Sequence, residues 1–358
     1  MSSPRPLSSI AEQLLQFAEL RRAGSSERVI AAAARSTALV RLRQGWYVRK
    51  EFWEQASPEV RHRSAILAAQ FSAARPPVFS HRSAAVLHEL PALSQWLHAA
   101  GRTTRQADQD LRRVHVTLPQ GSPTPSSLAI LRHRSELSDA DVESHDGLRR
   151  TTPDRTLADL ARSETFAVAL ACADAHLRAT TRVRQLIDEE TLLSWREDMF
   201  SRAARLRGRP GSRAVYALGG FADPRADSPL ESISRLRFAQ LGIDVELQVA
   251  VRGSRRATAY LDFVLRAHGV WGEADGKQKY VDAGMRGGRS AEEVVYAEKR
   301  RADWIAGTTG LRPVRWGPAE VLSRERFEAH LVDHGVPVPG EPSARWGQRL
   351  REFLRELP

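Results

Sequence analysis

At 358 residues, with 42% hydrophobic and 27% charged residues, the chain can build two or three ordinary cores and is not broadly disordered. It has no run of about 18 apolar residues that would span a membrane, and its first residues lack a secretory signal, so a cytoplasmic protein is expected. A lone Cys172 excludes an internal disulfide framework and a cysteine-based zinc site, and a formal net charge of +11 favours a polyanionic partner such as nucleic acid.

The first 50 residues read as a small basic helical unit. Ser8 or Ser9 can cap a helix that carries Ile10, Leu14, Phe17 and Leu20 and ends at Gly24; residues 27–36 make a second. Residues 39–43 and 46–49 then alternate around Gln44-Gly45, as a β-hairpin does. Helices followed by a hairpin describe a winged helix, whose Arg41, Arg43 and Arg49 would meet DNA. This segment holds nine basic and three acidic residues, over half of the net charge. An ordinary helix-hairpin scaffold with a solvated charged face gives the same pattern.

Residues 56–200 carry weaker signals. A helix is expected near 60–74, a capped helix at 80–88, a strand at 114–118 and a turn-rich loop at 121–127. Thr152 caps a helix whose first residue is Pro153. His81, His88, His115, His133 and His145 lack metal-ligand spacing and read as packing or surface residues. Residues 201–213 hold five arginines and no acid around a Gly-Arg-Pro-Gly core, the composition of a linker.

Chemistry concentrates beyond that linker. Residues 258–266 and 270–277 read as two strands around a turn at His268-Gly269. Side chains alternate along a strand, so Glu273, Asp275 and Lys277 share one face. A tight turn there sets Asp262 opposite Asp275, Val264 opposite Glu273 and Tyr260 opposite Lys277. Two facing carboxylates repel unless a cation lies between them, and such a pair can hold Mg²⁺ while leaving room for water and phosphate oxygens. Lys277 would then orient the attacking water or neutralise developing charge. A solvated edge hairpin would also be rich in Asp, Glu and Lys.

The flanks fit the same scheme. Ser228-Pro229-Leu230-Glu231 is a capping box opening a helix through Leu241. That capping role explains Glu231 by itself; a second role at the metal requires the helix to dock on the hairpin. A Gly- and Arg-rich loop at 284–290 precedes a helix at 290–309 that bears Lys299 and Arg301, both able to touch phosphates, and a strand at 311–316. Of the chain's four lysines, Lys277, Lys279 and Lys299 cluster in this region. No GxxxxGK loop, GxGxxG turn, GxSxG elbow or HExxH helix competes with this reading.

Four motifs together, Ser228-Pro-Leu-Glu231-Ser232, Tyr260-Leu-Asp262-Phe263, Glu273-Ala-Asp275-Gly276-Lys277-Gln-Lys279-Tyr280 and Glu298-Lys299-Arg300-Arg301, resemble the PD-(D/E)XK endonuclease superfamily, most closely its Vsr-like domains, over about residues 225–320. The resemblance implies that Asp262 and Asp275 bind the metal, that Lys277 is the catalytic lysine and that Glu231 is the helix-borne acid. Glu273 is a further metal-ligand candidate, because branches of the superfamily differ over which acid of the E-x-D-G stretch they use. Many Vsr-like sequences place a histidine soon after D-G, where this chain has Tyr280. The N-terminal half, through Arg41-Leu-Arg43-Gln-Gly45-Trp46-Tyr47-Val48, Ser80-His81-Arg-Ser83-Ala84-Ala85 and Thr152-Pro153-Asp154-Arg155-Thr156, is similar to AbiEi-family antitoxins of type IV toxin–antitoxin systems.

The expected architecture is α/β, α+β overall. It comprises a winged-helix-like domain at 1–55, a mixed α/β middle domain at 56–200, a linker at 201–224, a restriction-endonuclease-like mixed sheet flanked by helices at 225–335, and a tail at 336–358. The expected function is metal-dependent DNA cleavage with Mg²⁺ or Mn²⁺ and no membrane association. The alternative is an AbiEi-like repressor whose nuclease fold is non-catalytic, with a nucleotidyltransferase-like toxin or its own operator as partner.

Overall fold

The computed structural model describes residues 5–35, 38–93, 104–253, 258–275 and 291–358. The protein is mixed α/β, and its contacts divide it into two compact units, one ending at Glu164 and the other beginning at Thr165.

The first unit opens with α1 (Leu7–Ala11), β1 (Leu15–Gln16), α2 (Phe17–Arg22) and α3 (Glu27–Arg35), followed by the hairpin β2 (Leu39–Arg43) and β3 (Trp46–Arg49). The single helix expected up to Gly24 is thus broken in two. Leu15 and Gln16 pair with Tyr47 and Trp46 instead, giving a three-stranded sheet of order β1-β3-β2. Phe17 N donates to Gly45 O at 2.8 Å, so the hairpin turn satisfies an amide that starts α2. Gly45 takes φ +80°, the left-handed conformation that a tight hairpin turn requires.

Next come α4 (Lys50–Gln55), α5 (Pro58–Ser72), β4 (Val78–Phe79), α6 (His81–Leu87), α7 (Thr104–Arg112), β5 (Val114–Leu118), β6 (Ile130–Arg134), β7 (Val142–His145), β8 (Leu148–Thr151) and α8 (Pro153–Ser163). The five strands form a mixed sheet of order β6-β5-β4-β8-β7. One apolar core joins Ile10, Leu42, Val48 and Trp53 to Ile66, Phe79, Val114 and Leu148, and so runs across position 55.

The second unit begins with α9 (Phe166–Thr181), the short strands β9 (Arg182–Val183) and β10 (Leu186–Ile187), α10 (Glu189–Arg205), α11 (Ser212–Phe221) and α12 (Pro229–Leu241). Its sheet follows as β11 (Glu246–Arg252), β12 (Thr258–Leu265) and β13 (Val270–Ala274), then α13 (Ala291–Thr309), β14 (Arg312–Trp316), α14 (Arg324–Asp333) and α15 (Gln348–Glu356). Strand order is β11-β12-β13-β14, antiparallel except for the parallel β13–β14 pair. Phe238 of α12 and Phe327 of α14 pack with Phe263 and Trp316 on one face, at ring separations of 4.9–5.5 Å. Ile305 of α13 closes a second cluster with Val251, Leu261, Val264 and Trp271.

Two segments carry more structure than their composition promises. Within 201–224, α11 buries Val215, Ala217, Leu218 and Phe221. Within 336–358, α15 buries Leu350 and Leu354, four residues apart on one helical face. Its end is held by Gln240 Nε2, which donates to Leu357 O at 3.0 Å.

Candidate active site

The acidic hairpin forms, but with a different register. Phe263 pairs with Gly272, Val264 with Trp271 and Leu265 with Val270. Residues 266–268 make a 3-10 turn that ends at Gly269 with φ +61°, so the loop has four residues rather than two. This slides the strands by two positions relative to the expected Asp262–Asp275 opposition. An even slip leaves the alternation of faces unchanged while changing which acids are neighbours.

Continued by one pair, this register sets Asp262 opposite Glu273, and Glu231 of α12 lies close enough to feel the Asp262 charge. Its helix starts as expected, with the Ser228 hydroxyl accepting from Glu231 N at 3.2 Å. The Glu231 side chain, only 7% exposed, turns back to accept from Asp227 N at 2.8 Å and from Ser228 Oγ at 2.9 Å. Gln248 Nε2 of β11 donates to its Oε2 at 3.2 Å. Asp262 Oδ2 accepts from Ala274 N at 3.1 Å, which ties it to the neighbouring strand. Burial first, and then the negative charge of Asp262, push the Glu231 carboxyl up to about 7.

Sequence reasoning missed Gln248. Its φ of +51° is rare for a non-glycine residue inside a strand, and nothing in the local pattern announces it. Such an unusual conformation at a polar residue touching the candidate acid is where local structure and site geometry meet.

Glu273 is engaged by arginines. It pairs with Arg301 of α13, and its Oε2 accepts from Arg315 Nε of β14 at 2.8 Å. Glu298 bonds both arginines, at 3.1 and 3.0 Å, closing a four-membered network. Arg301 is therefore engaged with carboxylates rather than presented free, whereas Lys299 is exposed. Asp275 donates its backbone N–H to Trp316 O at 2.9 Å, which sets the end of β13 beside β14. Lys277, Lys279 and Tyr280 lie outside the described residues, as does the Gly- and Arg-rich loop.

In the first unit, Arg41 and Arg49 are exposed on the hairpin, while Arg43 is half-buried. His81, His115 and His133, far apart in sequence, come together. The His81 and His133 rings stack at 3.4 Å, and His133 Nε2 lies 3.2 Å from His115 Nδ1. Burial holds all three imidazoles below their ordinary range. Their convergence arises from the β5–β6 pairing and from the start of α6, where His81 takes φ +50°.

Among the described residues, no group of three or more His, Cys, Asp or Glu side chains is arranged to hold a metal ion. Glu231 and Asp262 are the two carboxylates here that could hold a metal, with the Gln248 amide bonded to the first. Carboxylate oxygens are hard donors that suit Mg²⁺ or Mn²⁺, and a cation there would offset the burial and the Asp262 charge that raise Glu231. No protein-family model matches the chain, and no curated protein matches it.

Proposed function

We propose that this protein is a metal-dependent DNA endonuclease, hydrolysing phosphodiester bonds and brought to DNA by its basic N-terminal segment. The observation that carries the reading is the approach of two acids from separate elements, Glu231 on α12 and Asp262 on β12, with burial and the Asp262 charge both acting against ionisation of Glu231. Glu231 and Asp262 would hold Mg²⁺ or Mn²⁺, with Asp275 or Glu273 as a further carboxylate. When bound, the metal supplies Lewis-acid stabilisation of charge on the phosphate and a more acidic water. The Gln248 amide orients the Glu231 carboxylate, and Ala274 N fixes that of Asp262. Lys277 would neutralise the developing phosphorane charge or position water. Exposed Lys299 would meet a phosphate.

In the N-terminal segment, the order helix, strand, helix, helix, hairpin, with three strands in the order β1-β3-β2, supports a winged-helix reading. Arg41 and Arg49, exposed on the hairpin, would contact the DNA backbone.

The test is cleavage of supercoiled, linear and single-stranded DNA with Mg²⁺ or Mn²⁺. Wild type should cut, and Asp262→Asn and Asp275→Ala should each lose at least about a hundredfold in rate. Full activity in Asp262→Asn would remove the site assignment.

A second reading has its own observation. Glu273, one candidate metal ligand, is engaged by two arginines, as a non-catalytic fold would allow. An AbiEi-like repressor, with its own operator and a nucleotidyltransferase-like toxin as partners, would bind DNA selectively through Arg41 and Arg49 and cleave none of these substrates.

A further inference from the structure

The first unit contains a cavity of about 970 Å³ at the end of the five-stranded sheet, within the size range of small-molecule sites. Half of its lining residues are apolar, with Ala69, Val78, Val116, Ile130 and Val142 among them. Among the described residues, no aromatic ring lines it to stack a base.

Four arginines line this space; Arg75 and Arg149 are exposed, and the other two bear on an anion site. Arg43, from the last position of β2, and Arg132, from β6, both line it. Arg132 is anchored, its Nη1 donating to Pro125 O at 2.8 Å. Arg43 is not. Its Nε and Nη1 are shielded from water and bonded to nothing among the described residues, and the like charge of Arg132 acts on it. The Thr117 hydroxyl, on the same lining, is also buried without a partner. Glu136 and Asp139 line the cavity too, but neither pairs with Arg43. Shielded donors left unbonded are unfavourable, and a half-buried guanidinium whose Nε and Nη1 have no acceptor favours an anion.

We propose that this cavity binds a small amphipathic anion, an aliphatic body bearing one carboxylate or phosphate, with Arg43 as the principal anion contact and Arg132 supporting it. The aliphatic walls take the body of the ligand, and the guanidinium fork takes its head group. The site uses residues separate from Glu231 and Asp262, so it stands independently of the nuclease reading.

The test is calorimetric titration of the full chain with decanoate, with decanol as the uncharged analogue and inorganic phosphate as the bare anion. Decanoate should bind wild type, and Arg43→Gln should weaken it at least about tenfold, with decanol and phosphate both weaker than decanoate. Arg132→Gln provides a second variant, expected to weaken decanoate by a smaller factor, and circular dichroism checks that each variant is folded. If decanoate gives no binding, or binds folded Arg43→Gln and Arg132→Gln as tightly as wild type, the proposal fails. Equal affinity for decanol would remove the anion contact, and equal affinity for phosphate would remove the aliphatic one.

Discussion

His62 is enclosed between α5 and its neighbours, with Nδ1 2.8 Å from Leu111 O and Nε2 2.9 Å from Ser83 Oγ. Burial, the strongest influence, and the Arg82 charge outweigh the Leu111 carbonyl and bring the imidazole down to about 4. The unfolded chain takes up this proton near 6.5, so the stabilisation is complete above about 6.5 and is lost as pH falls towards 4. The full effect for His62 is about 3 kcal/mol. Urea unfolding followed by tryptophan fluorescence, from about pH 7.5 to about 4.5, should show a shallower decline in His62→Gln than in wild type. An unchanged decline would contradict the assignment. Elsewhere, Arg235 makes two hydrogen bonds to Asp174, at 3.0 and 2.8 Å, with both residues buried. Arg235→Met strands that carboxylate and should reduce unfolding free energy by about 3–5 kcal/mol, read from the same denaturation curves.

At the scale of elements, Gly272 shows how closely the sheet and its aromatic cluster are fitted. A Cβ there would run into the Trp316 indole and press on Phe263. Gly272→Ala should lower the melting temperature, equivalent to about 1–3 kcal/mol, and the loss should appear in calorimetry of the full chain. Elements with strong local signals were legible in the sequence. The Ser228 cap, the Gln44-Gly45 turn, the strand at 114–118 and the helix through 309 all lie where pattern and capping put them. What escaped depended on partners distant in sequence. Leu15 and Gln16 became a strand because Tyr47 and Trp46 were there to pair with, overriding a helical pattern. The hairpin register turned on whether 266–269 formed a two-residue turn or a 3-10 loop, and the residue types allow both. For the candidate site, spacing pointed to Asp262, Glu273 and Asp275 on the hairpin but not to the register that sets their neighbours. The Glu231–Gln248 contact and the arginine network around Glu273 could not be read from spacing, since they need docked helices and a strained strand residue. The three clustered histidines lacked spacing for the same reason: β5, β6 and α6 bring them together only on folding.

For the whole molecule, charge and carboxylate placement point in compatible directions. A net charge of +11, more than half of it from the first 50 residues, fits a chain that meets polyanions through one end. DNA affinity should therefore fall steeply with salt. Replacing both Arg41 and Arg49 with alanine should weaken binding across sequences and reduce the salt slope by about 1 per lost phosphate contact, measurable by fluorescence anisotropy. A slope unchanged in that variant would move the DNA-binding surface away from the hairpin. The measurement that bears most directly on the central claim is metal-dependent cleavage by wild type and Asp262→Asn, purified side by side and matched for DNA binding. The account predicts cutting by wild type that needs Mg²⁺ or Mn²⁺, stops with a chelator and is lost in the variant. Intact DNA binding with no cleavage of any substrate by wild type would contradict it and favour the repressor.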